Sequence, residues 1–292
     1  MTTLLEAWSG AQKRLKTAGV DSPSIDARLL LEAAADVSRV DVISDPYRQL
    51  TAEQVERFDG YVERRSRREP VARILGRKGF WKLLLQVSPD VLTPRPETER
   101  VVDIALEAFP EERASFSMLD LGVGSGAILL SVLAERPAAK GLGVDISEAA
   151  LAVARDNAAG LGLADRATFL RTDWTQGLPD EAFDLVTSNP PYIPTGDIEG
   201  LEPEVCEHEP RLALDGGADG LEAYRVLAPE ILRVLKPEGR FAVEIGWDQG
   251  AAVKALFEQA GAQGLKVVRD LSDRDRVVAG CKKALGIRDA TR

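Results

Sequence analysis

From Ser117 onward the chain alternates short apolar runs with longer segments of helical period, and this alternation limits the fold more than any other feature. Ser117–Leu121, Leu142–Val144, Thr168–Arg171, Phe183–Ser188, Arg240–Ile245, Lys266–Arg269 and Arg276–Gly280 read as strands. Helices are expected near Ser125–Glu135, Glu148–Gly160, Gly220–Leu235 and Gln249–Ala260. Such spacing implies an α/β fold, a mostly parallel sheet with helices on both faces. Only Asp270–Asp275 separates the last two strands. No crossover helix fits there, so they are expected as antiparallel neighbours. Ligands of such sheets bind beyond the carboxyl ends of the strands, at the switch point.

At one of those ends stands Asn189-Pro190-Pro191-Tyr192. Two successive prolines donate no backbone N–H and fix φ, so the chain leaves the strand stiffly. Asn189 precedes a proline and is pushed to an extended conformation. The turn suits a planar –NH2 group: the Asn189 side-chain oxygen and the Pro190 carbonyl can each accept one hydrogen while positive charge develops on the nitrogen. Tyr192 can cover the flat face of such a substrate. Taken alone, the motif reads equally as a tight turn after a strand.

Three other strand ends carry polar groups. Asp120-Leu121-Gly122-Val123-Gly124-Ser125-Gly126 follows the first strand of the sheet. Its third glycine comes one position early for a dinucleotide fingerprint, and no phosphate-binding lysine follows. Close glycine approach without a phosphate anchor fits a nucleoside without phosphate. Asp145 ends the next strand, where a carboxylate would accept ribose hydroxyls. Asp173-Trp174 follows the third and can flank an adenine. Each acidic strand end alone is more often a helix cap. Together with Asn189 they converge on one crevice.

The first 70 residues read as a small helix bundle. Leu4, Trp8, Ala11 and Leu15 share one face, Ile25, Leu29 and Ala33 form a second stripe, and Thr51 with Gln54 fits a capping box before Val55, Phe58 and Val62. The bundle is either a packing appendage or a partner-docking domain. Arg64, Arg65, Arg67 and Arg68 end it as a basic run, read as a solvated helix face or as contact with a nucleic-acid-bearing partner such as a ribosome or a tRNA. Phe80–Val87 is β-rich and bounded by Gly79 and Ser88-Pro89, which implies a hairpin. The charged, proline-stiffened loop Thr93–Glu99 offers Arg95 and Glu97 as a pocket wall. The expected division is a helical domain at 1–72, a β-hairpin linker at 73–96 and a main domain at 97–292.

Composition excludes several function classes. Residues 1–70 carry 11 Lys/Arg and 12 Asp/Glu, and the remainder 26 and 35, so −9 of the net charge of −10 sits on the main domain. An acidic domain repels phosphate backbones, so no direct DNA binding is expected. The single histidine, His208, reads as a loop residue and disfavours a histidine dyad or a multi-histidine metal site; no metal is expected. Cys206 and Cys281 form no disulfide or metal framework. No membrane span or signal peptide is read, and a cytoplasmic monomer is expected.

The glycine loop, Asp145, Asp173 and the N-P-P-Y turn together resemble class I S-adenosylmethionine-dependent methyltransferases. Arg68-Glu69-Pro70, Leu92–Glu99, Glu209–Gly217 and Glu244-Ile245-Gly246 narrow the resemblance to the protein-glutamine methyltransferases that modify peptide chain release factors, the PrmC/HemK family. That family implies a Rossmann-like, mostly parallel seven-stranded sheet with an antiparallel last strand, preceded by a helical bundle that docks the substrate and a hairpin linker. It implies S-adenosyl-L-methionine as cofactor, S-adenosyl-L-homocysteine as product, and the glutamine of the Gly-Gly-Gln motif of class I release factors as substrate. Carried over, Gly122, Val123, Gly124, Ser125, Gly126, Asp145, Asp173, Trp174 and Asn189 would bind the cofactor. Asn189, Pro190, Pro191 and Tyr192 would bind the glutamine, with Asn189, Pro190 and Tyr192 catalytic. Val123 stands where the family usually has threonine and Thr93 where it usually has isoleucine.

In-line methyl transfer to a carboxamide nitrogen is then expected, driven by orientation rather than by a strong base. Three alternatives are open at this point: methylation of adenine or cytosine amino groups, which would need base flipping and a basic groove; a nicotinamide-dependent oxidoreductase; and a non-catalytic scaffold.

Overall fold

The computed structural model describes residues 2–284; Met1 and residues 285–292, the end of the expected 97–292 domain, lie outside them. The chain forms two compact units. One comprises Met1–Arg77 and Leu201–His208, the other Lys78–Gly200 and Glu209–Arg292. The expected main domain is thus interrupted by a segment that belongs with the helices.

The first unit contains helices α1 (Leu4–Thr17), α2 (Pro23–Ala35), α3 (Arg39–Ser44), α4 (Ala52–Ser66) and α5 (Val71–Leu75). Capping boxes start three of them, at Thr3 with Glu6, Ser38 with Asp41 and Thr51 with Gln54. Each satisfies two orphan N–H groups at a helix start. Leu4, Ala11 and Leu15 of α1 are buried as expected, with Trp8 packed at the margin and its indole donating to the Ser24 carbonyl at 3.0 Å. The second stripe departs from expectation. The core face of α2 is Ala27, Leu30, Leu31, Ala34 and Ala35, while Ile25 is 54% exposed. Two apolar stripes compete on this Leu/Ala-rich helix, and the one with more alanines lets α1 approach closely.

The basic run is a solvated face only in part: Arg64 and Arg67 are exposed, while Arg65 and Arg68 turn inward. Arg65 is buried and pairs with Asp26 at 2.7 Å and Glu204 at 2.9 Å. Arg68 takes the other oxygen of Glu204 at 2.6 Å. Arg64 pairs with Glu69 and Arg67 with Glu63. Every arginine of the run thus meets a carboxylate, Arg65 and Arg68 in a partly buried network and Arg64 and Arg67 in exposed pairs.

The second unit opens with a two-stranded sheet, β1 (Arg77–Phe80) and β2 (Leu83–Gln86), turning at Trp81 with φ of 53°. After α6 (Glu99–Ala108) come β3 (Ser117–Leu121), α7 (Ala127–Glu135), β4 (Lys140–Asp145), α8 (Glu148–Gly160), β5 (Ala167–Arg171) and β6 (Phe183–Ser188). The short α9 (Pro203–Cys206) lies in the inserted segment. Then follow α10 (Glu222–Val234), β7 (Leu235–Glu244), α11 (Gly250–Gln259), β8 (Gln263–Arg269) and β9 (Asp275–Cys281). The main sheet has seven strands in the order β5-β4-β3-β6-β7-β9-β8, with β9 antiparallel to both neighbours. One apolar core joins α6, α7 and α8 to the sheet, and a second joins α10 and α11. Helices thus cover both faces, as the alternation required.

The strand order reverses between β3 and β6. This is the switch point, and it sets the glycine loop after β3 beside the double-proline turn after β6. Two buried hydroxyls tie the strands there: Thr187 donates to Asp120 Oδ1 and Ser188 to the Leu121 carbonyl, each at 2.8 Å. β7 begins earlier than expected, at Leu235, which pairs with Phe183. The strand absorbs Pro237 and Gly239 through a register shift before Arg240.

Candidate active site

A cavity of about 380 Å3 opens at the switch point. That is a usual size for a small-molecule site. Gly122, Val123, Gly124, Ser125, Asp145, Asp173, Trp174, Asn189, Pro191 and Arg95 line it. Four strand ends separated by up to some 70 positions thus meet in one place, as their carboxyl-terminal location demanded.

The glycine loop is shaped by backbone. Gly122, Gly124 and Gly126 have φ of 68°, 53° and 84°. Side chains are strained in this left-handed region. At Gly126 an added Cβ would also lie 2.8 Å from Leu130 Cδ1, so the loop-to-helix junction is closed to any larger residue. At Gly124 nothing lies within 4 Å of that position, which leaves the wall open to a close ligand. The loop turns later than expected: α7 starts at Ala127, not Ser125, because Gly126 is its left-handed cap.

Asp145 holds the loop. Its Oδ2 accepts from the Gly124 N–H and its Oδ1 from the Ser147 N–H, both at 3.0 Å. Each carboxylate oxygen keeps a lone pair for a ligand hydroxyl. Trp174, at φ of 49°, sets its ring beside Gly122.

The double-proline turn is braced from two sides. Gln249 donates to the Tyr192 carbonyl at 3.0 Å, and the Ile193 N–H donates to the Leu214 carbonyl at 3.0 Å. Asn189 Nδ2 donates to Thr98 Oγ1 at 3.2 Å. With that end of the amide engaged, the Asn189 side-chain oxygen is the end left to accept. Pro190 is buried and Gly126 sits behind the loop; neither lines the cavity. Tyr192 does not line it either. Its hydroxyl donates to Glu244 Oε1 at 3.4 Å, and its ring packs against the α10–α11 core. Burial and the Glu244 carboxyl push its phenol pKa up. The expectation that Tyr192 covers the substrate face is therefore not what the geometry offers in this state.

On the stiff loop, Arg95 lines the cavity and its guanidinium is tied to buried Glu209 at 3.0 Å. The other Glu209 oxygen accepts the Thr93 N–H at 3.1 Å. Glu97 is exposed and does not line the cavity; buried Thr98 takes the wall position instead. His208 lies outside the cavity lining, as a loop residue near Glu69.

Two residues that sequence reasoning missed complete the site. Asp120 lines the cavity, is fully buried and has an Oδ2 without a hydrogen-bond partner. Burial pushes its pKa up to about 7, against the Thr187 hydroxyl, which lowers it. Its signal was a lone carboxylate inside an apolar strand. Thr98 had no signal beyond its place within the charged loop Thr93–Glu99.

Residues 6–76 match the PrmC N-terminal domain family, and residues 112–277 match a methyltransferase domain family. A release factor glutamine methyltransferase of Caulobacter vibrioides is 67% identical over 97% of this chain and 98% of its own length. One from Rhodospirillum rubrum is 45% identical over 94% of this chain and 83% of its own. Among solved structures, a methyltransferase from Pyrococcus furiosus superposes with a TM-score of 0.50 over 68% of this chain and 88% of that one, at 18% identity, which speaks to the fold alone. On this identity, sustained across nearly the full length of both chains, the protein belongs to the release factor glutamine methyltransferase family.

Proposed function

We propose that this protein transfers a methyl group from S-adenosyl-L-methionine to the side-chain amide nitrogen of the glutamine in the Gly-Gly-Gln motif of class I peptide chain release factors, supporting translation termination. The near-full-length likeness to release factor glutamine methyltransferases supports this over the methylation of adenine or cytosine, as does the acidic main domain. The observation that carries it is the Asn189 amide, anchored by Thr98 so that its oxygen is free to accept a hydrogen from another carboxamide.

The cavity fits the cofactor on its own terms. Gly124 leaves room for close approach, Asp145 keeps lone pairs for ribose hydroxyls, and Trp174 offers a flat apolar face. The orphaned Asp120 carboxyl is a partner for the cationic amino-acid end. When bound, S-adenosylmethionine supplies a methyl group activated by a sulfonium. The chain supplies orientation: the Asn189 side-chain oxygen would accept an amide hydrogen, aiming the nitrogen lone pair at the methyl carbon. As the N–C bond forms the S–C bond breaks, and the surplus amide proton leaves to water. Orientation of this sort contributes roughly 7–11 kcal/mol in well-aligned systems.

The deciding experiment is mass spectrometry of a class I release factor incubated with this protein and S-adenosylmethionine. A single added methyl on the Gly-Gly-Gln glutamine is expected. Its absence, or methyl incorporation into DNA instead, would overturn the reading.

A further inference from the structure

A single side-chain amide joins the hairpin to the glycine loop. Asn157, on α8, is 3% exposed, and the other buried residues of that helix are Ala150, Leu151, Ala154 and Ala158. Its Oδ1 accepts from the Gln86 N–H at 2.7 Å. Its Nδ2 donates to the Gln86 carbonyl at 3.1 Å and to the Ser125 carbonyl at 2.9 Å. These contacts reach back 71 positions to the hairpin and 32 to the glycine loop. The transfer step described above gives Asn157 no part.

Both ends of this amide are specified by what they meet. The N–H and C=O of one strand residue point to the same side, and the outer edge of a two-stranded sheet is unpaired. Gln86 ends β2, and the Asn157 amide takes its two main-chain groups as a neighbouring strand would. Turned over, the amide would set its NH2 against the Gln86 N–H and its oxygen against two carbonyls. Both amide hydrogens and the amide oxygen are thus engaged. Asparagine is a poor helix former, so α8 gains nothing from it locally.

On the loop side, Asn157 fixes a peptide that is otherwise free to turn over. The Gly126 N–H donates to the Val123 carbonyl at 2.8 Å, and the Ser125 carbonyl of the same peptide accepts from Asn157. Gly126, at φ of 84°, offers little torsional resistance to a flip. Residues 122–125 line the cavity, and so do residues 89–92, just downstream of Gln86. We infer that Asn157 is a positioning residue for cofactor binding, holding the glycine loop and the end of the hairpin at one fixed separation. This rests on the reading that the cavity takes S-adenosylmethionine. A loop that visits other conformations binds more weakly, in proportion to the time it spends outside the competent one.

The test has two arms on the full-length protein. The first is titration calorimetry of S-adenosylmethionine with the wild type, N157D, N157A and V253A. N157D keeps an acceptor for the Gln86 N–H but turns its second oxygen on two carbonyls. It should bind about 10- to 100-fold more weakly, and N157A about 10-fold. The kcat for release factor methylation at saturating cofactor should stay within about threefold of wild type, because Asn189 is untouched. V253A removes buried bulk from α11, outside the cavity lining, and should lower the melting temperature without changing cofactor affinity. Wild-type affinity in folded N157D, or an equal loss in N157D and V253A, overturns the inference. If N157D does not fold, N157A decides by the same criteria.

The second arm needs no variant. Backbone hydrogen exchange at Gln86, which lies outside the cavity lining, is followed by NMR with and without S-adenosyl-L-homocysteine. It should slow on saturation by a factor close to that at Gly126, because one amide holds both segments. A Gln86 rate that does not change on saturation overturns the inference. If the wild type binds cofactor but leaves release factors unmethylated, the proposed function falls and these two binding readouts still decide the role of Asn157. If it binds no cofactor, both fall together.

Discussion

Arg65 Nη1 lies 2.9 Å from Glu204 Oε1 across a sequence separation of 139 residues. The same arginine holds Asp26 through Nε at 2.7 Å, and Glu204 gives its second oxygen to Arg68. Four charged side chains thus close one network in the helical unit, with Arg65 buried at its centre. Partial burial alone would raise the Glu204 pKa, but the hydrogen bonds from Arg68 and Arg65 hold it down to about 2.

Removing Arg65 should therefore destabilise the helical unit by about 3 kcal/mol, because two carboxylates lose their buried partner. Chemical denaturation of R65A against wild type measures this. Glu204 also sets an acid limit. Its folded pKa is depressed, so its contribution is complete above the unfolded value near 4.5 and fades as pH falls from there toward 2. The denaturation midpoint of the wild type should fall over that window, and E204Q should show a smaller decline.

Asn189→Ala should lower kcat by roughly 100- to 1,000-fold, the scale seen when one oriented polar group is removed from a transition state. Stability should change by only about 1 kcal/mol, since a single hydrogen bond to Thr98 is lost. N189D should lose rate too, because its carboxylate cannot donate to Thr98. Methyl incorporation with a thermal melt of each variant separates the two effects.

Asp120 should make cofactor binding depend on pH. Burial holds its folded pKa at about 7, and only the ionised form attracts a cation. The affinity for S-adenosylmethionine, measured by titration calorimetry, should therefore weaken as pH falls below that value. D120N should bind about 10- to 100-fold more weakly near pH 8 and lose the pH dependence.

Glu244 has the opposite stability signature to Glu204. Its folded pKa of about 7 lies above the unfolded value of 4.5, so the folded protein holds a proton the unfolded chain has lost. Stability should fall as pH rises through that interval. E244Q removes this decline and should be more stable than wild type near pH 8 by an amount on the order of 1–3 kcal/mol. Denaturant midpoints at two pH values decide it.

The sheet was legible because its signals are local. Ser117–Leu121 and Phe183–Ser188 have the observed bounds, and the alternation of apolar runs with segments of helical period located the two helices between them. The convergence at the switch point followed from strand ends alone. What failed was non-local. Within the arginine run Arg65 and Arg68 turn inward, which was invisible because their partners Asp26 and Glu204 lie far along the chain. Glu97 drew attention by its charge, while the wall belongs to Thr98, whose small hydroxyl is silent in sequence. Tyr192 was read as a free aromatic face; nothing in the sequence tied it to Glu244, which lay inside the expected Arg240–Ile245 strand.

The excursion of Leu201–His208 into the helical unit bears on how the protein can be dissected. Because that unit is assembled from two separate stretches, no single cut frees it whole. A fragment ending at Arg77 would leave Arg65 and Arg68 without the Glu204 carboxylate, and a fragment starting at Lys78 would carry that carboxylate with nothing to answer it. Truncation would damage both halves at once, so swapping the helical unit between relatives requires transplanting the eight-residue excursion along with it.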